Sequence, residues 1–305
     1  MSSRALRELI EAPEIAVLPG VYDGYSARLS ERAGFKAGFI TGSGVSESRL
    51  GQPDVGLAGF AEAVQAAREL AACVEIPLFA DADTGYGNSV NVFYTTRGFE
   101  DAGVAGMMIE DQTWPKRCGH LAGKELIPAE EMVGKVAAAV AARRDDDFVI
   151  MARTDAAGPL GIDAAVERGN MYVRAGADLL FADAVLTAED IQAFAAGVDG
   201  PVCVNMGFGI RQRSTTPLLS PRQLQELGVA VMIAPRMLTA AAARGMELAL
   251  EALAESVRTG QVVDRGDLLF SFEEIHDVMG MGHIQELERR FLAEEQLAGK
   301  YGASE

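Results

Sequence analysis

Eight short apolar runs, each closing on glycine, proline or a polar residue and followed by a helical pattern, constrain this chain more than any other feature. They are AVLPG (16–20), AGFITG (37–42), PLFAD (77–81), GMMIED (106–111), FVIMARTD (148–155), DLLFAD (178–183), VCVN (202–205) and VMIAP (231–235). Each is nearly continuous in apolar residues, which is the pattern of a parallel strand covered on both faces. Stretches rich in Ala, Glu and Arg lie between them, such as GFAEAVQAARELAACV (59–74) and PAEEMVGKVAAAVAARR (128–144). Strands alternating with helices belong to the α/β class. Eight βα units in 305 residues predict a closed (β/α)8 TIM barrel. The alternative, an open doubly wound sheet, uses fewer strands, and the first turn has no G-x-G-x-x-G phosphate loop.

After the eighth run comes a long helical tail, LTAAAARGMELALEALAESVRTG (238–260) and SFEEIHDVMGMGHIQELERRFLAEEQLAGK (271–300). No Pro/Gly/Ser-rich linker marks a second domain. The expected organisation is one domain over 1–305, with 238–305 as a C-terminal helical extension. One face of that extension is too apolar to stand free, so it is expected to pack on the barrel or on a neighbouring subunit. Met279-Gly280-Met281-Gly282 reads as a helix break, and His276 and His283 as packing or surface residues.

Hydrophobic residues make up 49% and charged residues 23%, the balance of a folded soluble domain. Lys and Arg number 27 against 44 Asp and Glu, a net charge of -17. Such a surface repels phosphate backbones and anionic lipid, which argues against nucleic-acid or membrane-surface binding. No signal-like apolar core and no run of about 18 apolar residues is present. The three cysteines are too few and too scattered for a disulfide scaffold, and a reducing cytoplasm is expected. Cys73 and Cys203 lie in apolar stretches and read as small core residues.

In a barrel the side chains at the carboxyl ends of the strands share one mouth. Here those ends carry Thr41-Gly42-Ser43-Gly44, Asp81 and Asp83, Glu110 and Asp111, Arg153, Asp183 and Asn205. A single acid at a strand end is ordinarily a cap or turn residue. Acids gathered from several strands need a cation, or must take up protons. Oxygen ligands without a nearby His or Cys pair favour Mg2+, or Mn2+, over Zn2+. Mg2+ retains waters, so one direct carboxylate with water-bridged neighbours suffices. The segment EDQTWPKRCGH (110–120) adds Lys116 and Arg117 beside Cys118, a setting that favours the thiolate and suits general acid–base work. A structural cysteine beside a surface basic pair is the other reading of that segment alone. DTGYGN is no phosphate loop, because no P-loop lysine follows it.

The chain resembles the isocitrate lyase / phosphoenolpyruvate mutase superfamily over almost its whole length. The likeness rests on LPGVYDGYSARL (18–29), ITGSGVSESRLGQPDVG (40–56), DADTGYGN (81–88), IEDQTWPKRCGH (109–120), IMARTDA (150–156) and SFEEIHDVMGMGHIQELERRF (271–291). Within the superfamily it is most similar to 2-methylisocitrate lyases, 2,3-dimethylmalate and 2-alkylmalate lyases, and carboxyphosphonoenolpyruvate phosphonomutase. The resemblance implies a barrel whose last helix is swapped between subunits in a dimer of dimers. It also implies Mg2+ beside a 2-oxo or 2-hydroxy carboxylate. By the same resemblance Asp81 ligates the metal, and Asp54, Asp83 and Glu110 hold its waters. Ser43 and Gly44 bind the substrate carboxylate, Arg153 binds enolate oxygens, and Tyr22 lines the pocket. Lys116, Cys118, Gly119 and His120 belong to a gating loop, with Cys118 as proton donor.

The expected activity is Mg2+-dependent carbon–carbon cleavage of a 2-hydroxy or 2-alkyl malate-type acid. Oxaloacetate hydrolysis or decarboxylation, and phosphonomutase chemistry, are alternatives in the same pocket; a non-catalytic scaffold would have no reason to hold these groups together. The family's glutamate after strand six is replaced by Asp183. The segment after strand seven, NMGFGIRQRSTTP (205–217), keeps Asn205 but lacks the family's glutamate. It adds Arg211 and Arg213, which read either as ligands for an extra substrate carboxylate or as solvent-facing loop residues.

Overall fold

The computed structural model describes residues 2–118, 123–211 and 216–301. All eight apolar runs form strands: β1 (Ala16–Val21), β2 (Gly38–Ile40), β3 (Leu78–Asp81), β4 (Gly106–Glu110), β5 (Val149–Thr154), β6 (Leu179–Ala182), β7 (Val202–Asn205) and β8 (Val231–Ala234). They pair in parallel in chain order, and β1 closes on β8 through Ala16–Val231 to Pro19–Ala234. The fold is a (β/α)8 barrel.

Strand alternation sorts the side chains. Leu18, Phe39, Phe79, Met108, Met151, Phe181, Cys203 and Ile233, one from each strand, belong to a single buried cluster. Phe39 and Phe79 stack at 6.1 Å between ring centroids. A filled barrel leaves no pore, so ligands must bind at its rim. Leu6 and Ile10 of the N-terminal helix Ser2–Glu11 join this cluster. A second, larger cluster joins the outward strand residues to the surrounding helices, through Val64, Leu70, Met132, Val136 and Phe194 among others.

The closure is tight. A Cβ on Gly20 would lie 2.4 Å from the Pro235 backbone, so only glycine lets the end of β1 pass the chain leaving β8. Several helices that follow the strands begin at side-chain caps: Asp23 accepts from the Ser26 amide, Asn88 from Val90 and Asn91, and Thr187 from Asp190.

The chain divides into two compact units, residues 1–241 and 242–305. The second holds most of helix Met237–Thr259 and helices Phe272–Val278, Met281–Phe291 and Glu294–Tyr301. The break between the middle two falls at Met279 and Gly280, where Gly280 has φ 78°. Val257, Val262, Phe272 and Phe291 of this unit are exposed. Among the described residues no helix is long and apolar enough to cross a membrane.

Candidate active site

The carboxyl end of β3 sets the geometry. The chain leaves Asp81 through a turn in which Asp83 and Tyr86 have φ 47° and 59°. Non-glycine residues adopt this left-handed region at a cost of about 1–3 kcal/mol each, so the surroundings must hold them. Several hydrogen bonds do so. The Glu110 amide donates to the Asp83 carbonyl at 2.8 Å. Lys135 Nζ donates to the Thr84 carbonyl at 3.0 Å, and Thr95 Oγ1 to the Gly85 carbonyl at 3.0 Å. Asp81 is fixed in turn by the amides of Asp83 (3.0 Å, to Oδ1) and Gly42 (3.3 Å, to Oδ2). Strands β2, β3 and β4 thus share one frame.

Lys116 enters this frame from the loop after β4. Its Nζ lies 2.6 Å from Asp54 Oδ1 and 2.8 Å from Asp83 Oδ1, and the side chain is buried. Burial alone favours the neutral amine; Asp83, Asp54, Glu110 and Asp81 outweigh it and hold Lys116 well above the ordinary lysine range. The sequence reading used Lys116 and Arg117 to favour the Cys118 thiolate. The structure instead engages the Lys116 charge with two carboxylates. It places Arg117 in an exposed stretch, its backbone held by the Gln112 side chain at 3.1 and 2.9 Å.

Arg153 of β5 organises the far wall. It donates to Asp155 through Nε (2.9 Å) and Nη2 (3.0 Å), and to Asp183 through Nη2 (2.6 Å). Glu110 Oε2 lies 3.3 Å from its Nε, and its guanidinium lies 5.4 Å from the Phe181 ring. Lys124 donates to Asp155 Oδ1 at 2.7 Å. Behind this wall, Asp111 accepts from Thr154 Oγ1 (2.7 Å), Tyr172 Oη (2.8 Å), Arg168 Nη1 (2.9 Å) and the Asp155 amide (2.9 Å). That buried network fastens the end of β4 to the end of β5 and to helix Ile162–Arg174.

One cavity is lined by Thr41, Ser43, Asp54, Asp81, Lys116, Cys118, Arg153, Asp183, Asn205 and Arg236. An adjoining cavity shares Asp54 and Asp81 and adds Asp83 and Tyr86. Two sequence-selected residues fall elsewhere. Tyr22 is buried and lines a separate cleft with Asp23, Arg49 and Cys73, and Gly44 packs beneath the mouth where a Cβ would meet Tyr22 and Thr41 at 2.8 Å. Arg211 is exposed. Gly119, His120 and Arg213 lie outside the described residues.

The charge balance fits a hard cation. Asp54, Asp81, Asp83, Glu110, Asp155 and Asp183 gather around Lys116, Lys124 and Arg153. Burial raises Asp81 and Glu110 above their ordinary range and pushes Asp83 up to about 6. Glu110 Oε1 and Asp183 Oδ1 are buried with no hydrogen-bond partner among the described residues. The donors are all carboxylate oxygens, as Mg2+ or Mn2+ prefers. Among the described residues no three acids, imidazoles or thiols converge as a ready-made cage.

Sequence reasoning passed over Asp155, Lys124, Lys135 and Arg236. Asp155 had a signal, since it lies two residues beyond Arg153 and therefore shares its strand face. Arg236 had one too, as the residue immediately after the eighth apolar run. Lys124 and Lys135 had none.

Residues 6–254 match the phosphoenolpyruvate phosphomutase family. The chain belongs to that family. It is 42% identical over 286 residues to 2,3-dimethylmalate lyase of Eubacterium barkeri, covering 94% of this chain and 96% of that protein. The crystal structure of 2,3-dimethylmalate lyase, a PEP mutase/isocitrate lyase superfamily member, matches with TM-score 0.88 at 32% identity over 100% and 99% of the two chains. Phosphonopyruvate hydrolase in complex with oxalate and Mg2+ matches with TM-score 0.82 at 31% identity over 96% and 100%. The family therefore holds cleaving and hydrolysing enzymes on one barrel, and a member of it is crystallised with a divalent metal.

Proposed function

We propose that the chain is a divalent-metal-dependent carbon–carbon lyase. Its substrate would be a 2-hydroxy or 2-alkyl malate-type di- or tricarboxylate, of the 2,3-dimethylmalate or 2-methylisocitrate kind. The products would be a 2-oxo acid and a second carboxylic acid. The observation that carries this reading is that Cys118 lines the same cavity as Asp81, Asp54 and Arg153.

As the 2-hydroxyl gives up its proton to a base at the mouth and becomes the 2-oxo group, the bond beside it breaks and leaves its electron pair on the departing fragment, tolerable only as an enolate. Asp81 would hold Mg2+ or Mn2+ directly, with Asp54, Asp83 and Glu110 on its waters; when bound, the ion supplies Lewis-acid stabilisation of negative oxygen. Arg153, fixed on two sides by Asp155 and Asp183, offers a positive edge that needs no reorganisation. The hydroxyls of Thr41 and Ser43, 3.0 Å apart, and the neighbouring amides offer donors for a carboxylate. Cys118 then delivers a proton to the carbanion carbon. The exposed apolar residues of the C-terminal unit suit an interface with a second copy, and a homo-oligomer in a reducing cytoplasm completes the reading.

The test is incubation of the protein and Mg2+ with candidate acids, with products identified by mass spectrometry. A 2-oxo acid released with a second acid supports the lyase. CO2 alone, or a phosphonate product, overturns it in favour of a decarboxylase or a mutase.

A further inference from the structure

We infer that Lys135 is a positioning residue for the divalent ion: from outside the cavity its ammonium holds the Thr84 carbonyl, and with it the left-handed turn that presents Asp81 and Asp83. The inference rests on the metal-dependent reading above and adds to it a residue that lines neither cavity at the mouth.

Lys135 lies on helix Ala129–Ala142, which follows the loop carrying Lys116 and Cys118. It shares the inner face of that helix with Met132, Val136 and Ala139, and is 3% exposed. An apolar side chain would be at home there, whereas an ammonium loses its hydration. Among the described residues Lys135 forms no ion pair, and its one hydrogen bond runs from Nζ to the Thr84 carbonyl at 3.0 Å. Glu131, Glu110 and Asp111 are near enough to act on its charge. What the buried charge secures is therefore the Thr84 carbonyl.

The turn needs that hold. The Gly85 amide closes it on the Ala82 carbonyl at 2.9 Å, and the Glu110 amide takes the Asp83 carbonyl at 2.8 Å. The next carbonyl, that of Thr84, is met by Lys135, while the Thr84 hydroxyl is buried with no partner among the described residues. Thr84 directly follows Asp83, and Asp83 and Tyr86 both carry left-handed backbone. A charged donor makes a stronger bond to a carbonyl than a neutral one. Without it the turn relaxes toward ordinary backbone angles, and the Asp83 amide leaves Asp81 Oδ1, which it now meets at 3.0 Å. Asp81 then keeps only the longer bond from the Gly42 amide, and its carboxylate loses its aim.

The sign of the effect separates positioning from charge. Removing a positive charge near Glu110 and Asp111 would, by Coulomb attraction alone, tighten the binding of a cation. Loss of the turn's anchor weakens it instead. The turn also has a built-in reporter. Trp114 is the only tryptophan in the chain, and its ring meets that of Tyr86 edge-on, 5.9 Å between centroids and 69° between planes.

The experiment measures Mn2+ binding directly, by the electron paramagnetic resonance of the free ion, in wild type, Lys135→Met, Lys135→Arg and Thr95→Val. Thr95→Val removes the hydroxyl bond to the Gly85 carbonyl of the same turn. Circular dichroism establishes that each variant is folded. Lys135→Met should bind Mn2+ about tenfold or more weaker, the scale of a lost outer-shell partner, and its Trp114 emission should differ from wild type before any metal is added. Lys135→Arg, which keeps a charged donor, should recover most of the affinity. Thr95→Val should weaken binding in the same direction by a smaller factor. Unchanged or tighter Mn2+ binding in folded Lys135→Met overturns the inference, even if its stability to urea falls, because that is the mark of a merely structural lysine. Should Lys135→Met not fold, Thr95→Val decides: weaker binding supports the inference and unchanged binding ends it. If wild type itself binds no Mn2+, the metal-dependent reading falls and takes this inference with it.

Discussion

Arg153 grips Asp155 through two parallel hydrogen bonds, Nε to Oδ2 at 2.9 Å and Nη2 to Oδ1 at 3.0 Å, across only two positions of chain. The pairing fixes the plane of the guanidinium before any ligand arrives. It also shapes how Asp155 titrates. Burial would raise this carboxyl, but Arg153 and Lys124 prevail and hold it well below the usual carboxylate range. A depressed acid stabilises the fold above its unfolded value, about 4, and that contribution fades as pH falls toward the folded value. Asp155→Asn should therefore lower stability to urea by a constant amount above about pH 5, with a gap that narrows below about pH 4. A gap independent of pH in paired urea titrations would remove this account.

Asp111 lines neither of the two cavities at the mouth described above, yet four donors converge on it. Asp111→Leu leaves the buried Tyr172 hydroxyl without its carboxylate acceptor and Arg168 without its counter-charge, Arg168 keeping, among the described residues, only the Ile127 carbonyl and Tyr172. The expected loss is about 3 kcal/mol in chemical denaturation, in line with breaking a buried charged pair. A change below about 1 kcal/mol would show that the network is not coupled to folding.

Cys118→Ser keeps the volume nearly constant and replaces a thiol by a far weaker acid. Turnover should fall at least about a hundredfold, the scale of a general acid–base contribution, while oxalate and Mg2+ binding stay as in wild type. Steady-state kinetics with calorimetry decides it; full retention of turnover would exclude Cys118 from proton transfer.

Gly42 tests the carboxylate frame. A Cβ there would meet Asp81 Oδ2 at 2.8 Å, and Asp81 is short and held from two sides, so it must swing away. Gly42→Ala should raise the Mg2+ concentration needed for half-maximal activity about 10–100-fold, as misoriented metal-site carboxylates do. Chelation by EDTA should abolish activity, and Mg2+ or Mn2+ should restore it. Unchanged metal activation in the variant would separate Asp81 from the metal.

The fold was legible because each buried parallel strand is a continuous apolar run, and eight such runs leave little choice of architecture. The edges shifted by a residue or two: Ala37 and Thr41–Gly42, read as part of the second run, lie outside β2, where glycine and threonine begin the next turn. Asp81, Asp83, Glu110 and Asp183 were legible as strand ends, whereas Asp54 came only with the family resemblance and Asp155 was passed over. Their pairing was not. Nothing local to Lys116 shows that its ammonium reaches back to Asp54 and Asp83, because the contact depends on how the loop after β4 folds across β3. Lys135 is likewise one polar residue in an alanine-rich helix until the barrel brings it under the Thr84 carbonyl. Tyr22, implied by the resemblance, follows the end of β1 and lines the neighbouring cleft.

Because β1 pairs with β8, synthesis order weighs on this molecule. Until residues 231–234 emerge, both margins of the nascent sheet stay unzipped and open to unwanted pairing. The first strand must wait for more than two hundred intervening residues before its partner is available. Arg236 follows at once, so the rim acquires its last cation only as the ring shuts, and a ribosome-bound chain halted earlier carries the acids of the mouth without it.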